Sequence, residues 1–327
     1  MAFSHKTRVG VLRGGPSPEY DVSLNTGRAV LSNLPEDCEP IDIFISKDGI
    51  WHVSGLERDP YTILKSLDMA INALHGTYGE DGTVQKMLDH FGIPYTGSDA
   101  MSSRLGMNKI LTKKILSQAG LKTPMYMIVE MKEDGEIPTG AVNHINENLI
   151  FPIIIKPHNQ GSSLGTSFVD KAFDIRRGLE RAFEYSSRAL VEEYISGKEV
   201  TCGVIDGFRD QDLYTTVPIS VIPDKARKFH DYDSKYLDLG KYHLPYGLSP
   251  EEKEQIREAT KLIHQTLGLR HYSRSDFIHH SRRGLFVLEV NTLPELSHRG
   301  AFMKALEAAG SNIKEFLSHL IKKTLKK

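Results

Sequence analysis

Short apolar runs alternate with helix-like segments through residues 1–97, and this alternation restricts the fold more than any other feature of the chain. An apolar run that ends in glycines predicts a buried strand entering a turn, and a 3.6-residue apolar period predicts a helix. The predicted elements are strands at 8–12 (RVGVL), 40–46 (PIDIFIS) and 70–76 (AINALHG) and helices from about Ser23 and over 82–93. The alternation predicts an N-terminal α/β domain over residues 1–97.

A second unit is predicted over residues 98–190. It contains a helix around NKILTKKILSQAG that ends at Gly120, a strand at 151–157 (FPIIIKP) and a helix over about 171–187.

A third unit is predicted over residues 191–327, with its first strand in ALVEEYI (189–195) and the next at 199–205. The helix over 248–269 is the most clearly marked in the chain, because Ser249 and Glu252 form a capping box. Its predicted buried stripe consists of Ile256, Ala259, Leu262, Ile263 and Leu267.

Composition excludes several classes of partner. The net charge is −1 and 39% of residues are apolar, which is typical of a globular protein that does not bind nucleic acid. No apolar run approaches the length of a membrane span or of a signal-peptide core, so we expect no membrane partner and a cytoplasmic location. Cys38 and Cys202 are predicted to be separate thiols.

Two glycine-rich loops carry chemistry. The segment NQGSSLGT (159–166) follows a strand that ends in Lys156. Its backbone N–H groups predict a phosphate-binding loop, with an ordinary hairpin turn as the alternative. Lys156 favours the phosphate, because a lysine is costly in an apolar core unless it meets an anion. In HGTYGEDG (75–82), His75 follows a predicted strand, where ligands often bind in α/β sheets, while the acids are typical of a surface turn.

A metal site is predicted on two strands near the C-terminus. Glu289 and Asn291 are two residues apart and therefore point to the same face of a strand. Asp276 joins them if the strand in HYSRSDFI pairs with theirs, and three oxygen ligands of this kind suit one or two Mg²⁺ ions bridging nucleotide phosphates. Arg274 would lie beside them and could stabilise a developing oxyanion.

The motifs, taken in order, resemble the D-alanine–D-alanine ligase family of the ATP-grasp superfamily. The resemblance covers nearly the whole chain and implies a three-subdomain ATP-grasp architecture with a Rossmann-like N-terminal domain. The segments that carry it are RGGPSPEYDVSLNTG, HGTYGEDGTVQKMLDHFGIPYTGS, MNKILTK, FPIIIKPHNQGSSLG, VEEYISGKEVT, FHDYDSKYL, SRSDFI and LEVNTLP.

The resemblance implies roles for residues on the amino-acid side of the site. Glu19 matches the carboxylate that binds the ammonium of the first D-amino acid, and His75 matches the group near the carboxylate of that substrate. Ser162 matches the serine that is hydrogen-bonded to Glu19 and Tyr236. The segment 227–248, which carries Lys235 and Tyr236, is expected to be a lid, because long aperiodic loops in compact enzymes usually cover active sites.

The resemblance also implies an ATP site and a metal site. Its nucleotide ligands are the lysines on the phosphates, the closing loop, the adenine-binding hinge and the ribose ligand, namely Lys109, Lys156, Lys235, Ser162, Ser163, Glu192, Glu193, Tyr194, Ile195 and Glu199. Its metal ligands are Asp276, Glu289 and Asn291, which would hold Mg²⁺ or Mn²⁺, and Arg274 matches the oxyanion stabiliser. Small-molecule substrates and a homodimer are implied as well.

The chain departs from the family after Pro294. Glu295 stands where the family usually has glycine, and Gly300-Ala301 stands where a Ser-Leu pair holds the second amino acid's carboxylate. A carboxylate at Glu295 would repel that group by roughly 4 kcal/mol at about 4 Å and an effective dielectric of about 20. Three alternatives follow: Glu295 pairs with Arg299 on a helix, Arg299 grips the acceptor carboxylate, or Glu295 recognises a different acceptor.

The sequence therefore predicts an ATP-dependent ligase that joins two D-alanines through an acyl phosphate for peptidoglycan precursors. The alternatives are a ligase of the same fold with another acceptor amine and a nucleotide-binding homologue without turnover. A dehydrogenase is disfavoured, because RVGVLRGG contains no G-x-G-x-x-G motif.

Overall fold

The computed structural model describes residues 6–222, 241–243 and 247–326, and its N-terminal part is built on a five-stranded sheet. The strand order is β4-β3-β2-β1-β5, with β1 parallel to both β2 and β5. The elements are β1 (Thr7–Gly14), α1 (Tyr20–Leu31), β2 (Cys38–Ile45), β3 (Trp51–Val53), β4 (Leu56–Glu57), α2 (Pro60–Leu64), β5 (Met69–Asn72) and α3 (Thr83–His90). The predicted α/β character of this region is confirmed.

Two N-terminal elements differ in extent from the prediction. α1 begins at Tyr20, three residues before Ser23. β5 ends at Asn72, well before residue 76, because the Asn72 side chain accepts a hydrogen bond from the Leu74 N–H and donates one to the Gly79 carbonyl. These bonds turn the chain out of the sheet and place His75 in a loop.

The second sheet has the order β6-β9-β7-β8 and all its pairings are antiparallel. Its elements are α4 (Ala100–Met107), α5 (Lys109–Gln118), β6 (Tyr126–Glu130), α6 (Ala141–Asn148), β7 (Ile153–Pro157), β8 (Ser167–Val169), α7 (Ile175–Phe183) and β9 (Arg188–Glu193). The strand predicted at 189–195 as the start of the third unit belongs to this sheet, because it pairs with β6 on one side and β7 on the other. α7 is shorter than the predicted helix over 171–187, since a 3₁₀ turn precedes it.

The third sheet has the order β13-β12-β10-β14-β15, with β11 on β10, and is antiparallel. Its elements are β10 (Lys198–Asp206), β11 (Leu213–Thr215), β12 (Ile219–Ile222), β13 (Lys241–His243), α8 (Pro250–Thr266), β14 (Tyr272–His280), β15 (Gly284–Asn291), α9 (Ala301–Ala308) and α10 (Ile313–Leu325). The sheet supplies the floor of the site described below.

α8 confirms the predicted capping box. The Ser249 side chain accepts from the Glu252 N–H, and the Glu252 carboxylate accepts from the Ser249 N–H. The buried stripe is confirmed except at Leu262, which is 39% exposed because it lies at the edge of the apolar face. Cys38 and Cys202 are buried free thiols, as predicted.

Two apolar clusters hold the third sheet and its helices against the N-terminal sheet and against α5. One joins the N-terminal strands to the C-terminal helices, with Val9, Val11 and Ile71 in the same cluster as Phe302 and Phe316. The other joins Leu116 of α5 to the third sheet and α8. Within the described ranges, no helix is both long enough and apolar enough to cross a membrane.

Candidate active site

One cavity brings together residues from all three parts of the chain. It lies where the carboxyl end of the N-terminal sheet, the loop after β7 and strands β10, β14 and β15 meet. Its lining includes Glu19, His75, Glu80, Lys109, Gly161, Ser162, Glu199, Thr201, Arg274, Asp276, Glu289, Asn291, Glu295 and Ala301. Ten of the residues predicted from the sequence as site residues are in this list.

Glu19 is buried just before α1, and two glycines allow the chain to pack against its carboxylate. A Cβ at Gly161 would lie 2.6 Å from Glu19 Oε2, and one at Gly76, where φ is +67°, would lie 2.7 Å from the same atom. The Ser162 hydroxyl donates a hydrogen bond to Glu19 Oε1. The predicted Ser162–Glu19 contact is therefore present in the structure.

His75 is a buried imidazole surrounded by carboxylates. Its Nε2 is hydrogen-bonded to Thr26 Oγ1 at 2.8 Å, and its Nδ1 lies 3.7 Å from Glu80 Oε1. Burial lowers the pKa of His75, but the contact with Glu80 and the charges of Glu80, Glu19 and Glu295 together raise it above its ordinary value. The site therefore favours an imidazolium, which suits the carboxylate of an amino-acid substrate.

The loop between β7 and β8 lies over the cavity in a strained conformation. Ser162 and Ser163 have φ values of 50° and 58°, a left-handed conformation that is uncommon for residues other than glycine. Lys109 Nζ donates to the Gln160 carbonyl in this loop at 2.7 Å and lies 3.2 Å from Glu289 Oε2. The loop is a hairpin connection between β7 and β8 and lines the cavity through Gly161 and Ser162, and its phosphate-binding role stays a prediction.

Lys156 and the hinge residues lie outside the residues that line the cavity. Lys156 Nζ is 2.7 Å from Glu192 Oε2 on β9. The next residue, Glu193, accepts two hydrogen bonds from the Arg283 guanidinium, which holds the pKa of Glu193 below its usual range. Tyr194 packs edge-on against Phe168, and Ile195 is buried. The adenine-binding role of Glu192 to Ile195 stays a prediction.

The predicted metal ligands lie together on two adjacent strands. Asp276 of β14 is directly opposite Glu289 of β15, and Arg274 is opposite Asn291. Asp276 accepts two hydrogen bonds from Arg274, at 2.9 and 2.8 Å, and one from Thr201 Oγ1 at 2.6 Å. The predicted pairing of the two strands is confirmed.

The donor set suits Mg²⁺ in its chemistry. Two carboxylates and the amide oxygen of Asn291 are hard oxygen ligands. Both carboxylates have a cationic partner in this structure, Arg274 for Asp276 and Lys109 for Glu289. In the described part of the chain there is no group of three His, Cys, Asp or Glu side chains that could hold a metal, so Asn291 would have to serve as the third ligand.

The structure of residues 292–300 contradicts the first of the three alternatives for Glu295 and Arg299 and bears on the second. Residues 292–300 are not helical, and no ion pair joins Glu295 to Arg299 among the residues that the structure describes. Arg299 is exposed and lines a separate cleft with Arg28 and Glu307. Glu295 lines the cavity of Glu19 and His75, and its carboxylate accepts a hydrogen bond from the Ser297 hydroxyl. Gly300 is the N-cap of α9.

The structure also adds residues that the sequence pattern did not single out. Glu80, which the pattern assigned to a solvated turn, is 9% exposed and accepts a hydrogen bond from the Gly76 N–H. Thr201 donates to Asp276 from the neighbouring strand. Lys113 contacts Glu192, and its spacing of four from Lys109 on a helix was the available signal. Lys235 and Tyr236, with most of the predicted lid at 227–248, lie outside the described residues.

The comparisons with known proteins agree with this geometry. The family model described as "D-ala D-ala ligase C-terminus" matches residues 115–322, and that described as "D-ala D-ala ligase N-terminus" matches residues 56–98. A D-alanine–D-alanine ligase of Pelotomaculum thermopropionicum is 35% identical over 317 residues, which covers 96% of this chain and 95% of the relative. One from Bacillus anthracis is 34% identical, with coverage of 98% and 97%.

Solved structures give the same result. The VanG D-Ala:D-Ser ligase of Enterococcus faecalis has a TM-score of 0.83 and 28% identity, covering 97% of this chain and 99% of that one. A B. anthracis D-alanine–D-alanine ligase complexed with ATP has a TM-score of 0.77 and 30% identity, with 98% coverage of both chains.

The sheets and the cavity between them define an enzyme of the ATP-grasp class, with an α/β domain at its N-terminus. Within that class, the chain belongs to the D-alanine–D-alanine ligase family.

We expect Glu80→Gln to lower the pKa of His75, because the variant removes a carboxylate that favours the imidazolium while burial still disfavours the charge. The measurement is an NMR titration of the His75 ring protons. Glu39→Gln, which removes an exposed carboxylate on β2, serves as the control. An unchanged His75 titration in Glu80→Gln would show that Glu80 does not set the charge of this ring.

Proposed function

We propose that the protein is an ATP-dependent ligase that joins two D-alanines, with release of ADP and phosphate, and supplies the dipeptide for peptidoglycan precursors. The observation that carries the proposal is the single cavity shared by Glu19 and His75 on one side and Lys109, Asp276 and Glu289 on the other. The curated relatives named as D-alanine–D-alanine ligases, similar over nearly the whole chain, support the same reaction.

The donor D-alanine would bind between two opposite charges. The Glu19 carboxylate would accept hydrogen bonds from the ammonium of D-alanine, and the imidazolium of His75 would attract the carboxylate of the same substrate. Ser162 links Glu19 to the loop over the phosphates, so donor and nucleotide sites share a hydrogen-bonded contact. Holding both substrates in one orientation removes much of the entropic cost of their reaction.

The donor carboxylate must first be activated, because its oxygen is a poor leaving group. Attack on the γ-phosphate of ATP would convert it to an acyl phosphate, and Lys109 would offset the charge that moves in this step. Asp276, Glu289 and Asn291 would hold Mg²⁺, which supplies positive charge to the phosphates when bound.

The acceptor amine would then attack the acyl phosphate, and phosphate would leave from the tetrahedral intermediate. Arg274 points its guanidinium into the same cavity, held by two hydrogen bonds to Asp276, and would stabilise the oxyanion. The acyl phosphate needs protection from water, which is the role we assign to the lid at 227–248 with Lys235 and Tyr236. We include a homodimer and a cytoplasmic location in the proposal, on the family resemblance.

The proposal is tested by phosphate release from ATP with single amino acids and with pairs. We expect release that requires Mg²⁺ and D-alanine, with D-alanyl-D-alanine as the product identified by mass spectrometry. L-Alanine is the matched control substrate and should give no dipeptide. ATP binding without release for any pair of D-amino acids would instead support a nucleotide-binding homologue.

We expect Asn291→Ala to weaken turnover mainly through its metal dependence, because the variant removes one of three proposed ligands and leaves the lysines in place. The Mg²⁺ concentration for half-maximal activity should rise by about tenfold, while ATP affinity changes less. The measurement is a Mg²⁺ titration at saturating substrates. Normal activity of Asn291→Ala at limiting Mg²⁺ would remove Asn291 from the metal site.

A ligase with a different acceptor is the second candidate, and the position of Glu295 favours it. This carboxylate lines the cavity, so it would repel the carboxylate of an acceptor placed beside it and would accept a hydrogen bond from an acceptor hydroxyl or amine. One of the similar solved structures is a D-Ala:D-Ser ligase. D-Serine is therefore the first alternative acceptor to compare with D-alanine.

We expect Glu295→Gln to lower the acceptor KM for D-alanine by more than it changes the KM for the donor or ATP, because it removes a like charge and keeps the side-chain shape. Arg299→Ala is the matched control, since Arg299 lines the other cleft, and its acceptor KM should stay within about twofold of wild type. The acceptor KM of wild type and of each variant is measured with D-alanine and with D-serine. Acceptor KM values that do not change in Glu295→Gln would separate this residue from acceptor choice.

A further inference from the structure

A buried cluster of one carboxylate and two lysines lies beside the proposed nucleotide site. Lys113 Nζ is 2.6 Å from Glu192 Oε1, and Lys156 Nζ is 2.7 Å from Glu192 Oε2. The side chains of Lys113 and Glu192 are each 3% exposed and that of Lys156 is 11% exposed. We propose that Lys113 is a positioning residue for ATP, which offsets the charge of Glu192 and so leaves Lys156 with a net positive charge for the phosphates.

The charges of the cluster lead to this role. Glu192 carries −1 and the two lysines carry +2, so the cluster has a net charge of +1. Without Lys113, Glu192 would neutralise Lys156, and a phosphate would find no net charge there. One lysine suffices to neutralise one buried carboxylate, so a purely structural ion pair does not require the second.

The strand register shows that the cluster lies on the face of the second sheet that is turned toward α5. Glu192 of β9 is opposite Ile154 of β7, and Lys156 is two residues further along β7 on the same face. The opposite face of these strands carries Ile153, Ile155 and Val191, which belong to the apolar core under α7. Glu192 and Lys156 therefore lie on the face of the sheet opposite the apolar core, and Lys113 contacts Glu192 from α5.

α5 brings the second lysine to this face. Lys109 and Lys113 are four residues apart and so lie on the same side of the helix. Lys109 reaches the Gln160 carbonyl and Glu289, whereas Lys113 reaches Glu192. Leu116, one turn further along, anchors α5 in the core of the third sheet. One helix face therefore supplies cations to both sheets that enclose the proposed nucleotide site.

The cations of the cluster repel one another. The pKa of Lys113 lies below its ordinary value, because burial lowers it and the charges of Lys156 and Lys109 lower it further, against the opposing effect of Glu192. Burial raises the pKa of Glu192, but the two lysines hold it below its usual range. The carboxylate is therefore ionised, and an anion bound near the lysines would relieve their mutual repulsion.

The inference rests on the proposed function, because it concerns the same ATP. The test is the Kd of Mg-ATP measured by calorimetry for wild type, Lys113→Met and Lys114→Met. Lys114 is the adjacent, exposed lysine on α5 and is the matched control. We expect the Kd to rise by at least about tenfold in Lys113→Met, from the loss of one unit charge at short range, and to change less than twofold in Lys114→Met.

Two further readouts separate positioning from simple stability. Lys113→Arg keeps the charge and should retain most of the ATP affinity, and the KM values for D-alanine should stay near wild type in all three variants. An unchanged Kd in Lys113→Met would overturn the inference, whatever its thermal stability. Failure of wild type to bind Mg-ATP would instead count against the proposed function.

A double variant tests the charge balance directly and does not require Lys113→Met to fold. Glu192→Gln leaves both lysines and a net charge of +2, whereas Lys113→Met with Glu192→Gln leaves +1. We expect the single variant to bind Mg-ATP more tightly than the double variant. Equal Kd values in this pair would show that the charge of Lys113 does not reach the nucleotide, and would overturn the inference.

Discussion

The structure depends on how it pairs its buried and partly buried carboxylates. Asp276 is held by Arg274, Glu289 by Lys109, Glu192 by Lys113 and Lys156, and Glu80 by the His75 ring. An unpaired charge in such surroundings would cost several kcal/mol. The same pairs define what a ligand must bring, because an incoming phosphate competes with the carboxylates for the cations and an incoming cation does the reverse.

The apolar clusters make several of these pairs possible by fixing the third sheet against α5 and against the N-terminal sheet. Leu116 anchors α5 in the core of the third sheet, which sets how far Lys109 reaches toward β15. Phe302 and Phe316 pack with the N-terminal strands, which brings the segment before α9, and with it Glu295, to the end of the sheet where Glu19 and His75 lie. Apolar packing, and not a continuous network of polar contacts, therefore brings together side chains from distant parts of the sequence.

Strand patterns allowed much of this to be predicted from the sequence. The two-residue alternation placed Asp276, Glu289 and Asn291 on one surface, and the observed register agrees, because side-chain direction in a strand follows from position alone. The partners of charged side chains were not predictable in the same way. Lys156 was expected to contact a phosphate. In the structure it forms an ion pair with Glu192, a contact that depends on how β7 and β9 pair.

Loops were the least predictable part. Glu80 lies in a segment whose composition is typical of a solvated turn. The turn nevertheless folds back toward His75, and the Glu80 side chain is buried there. A helix over 295–299 was one of the open alternatives, but the chain bends at Ser297, whose hydroxyl bonds Glu295 and accepts from the Arg299 N–H, and α9 begins only at Ala301. Local side-chain hydrogen bonds of this kind compete with helix formation. They join residues that are close in sequence, so they produce no periodic pattern from which they could be predicted.

The position of Glu295 would link the two proposed amino-acid sites electrostatically. His75 owes its raised pKa to Glu80, Glu19 and Glu295 together, so the charge of the ring depends on what lies beside each of them. A donor ammonium at Glu19 offsets one of these carboxylates, and an acceptor group bonded to Glu295 offsets another. Each would lower the preference for the imidazolium and so would weaken the hold of His75 on the donor carboxylate. A glycine at position 295 would remove this link, so the departure from the family pattern would change how the two proposed sites influence one another as well as which acceptor fits.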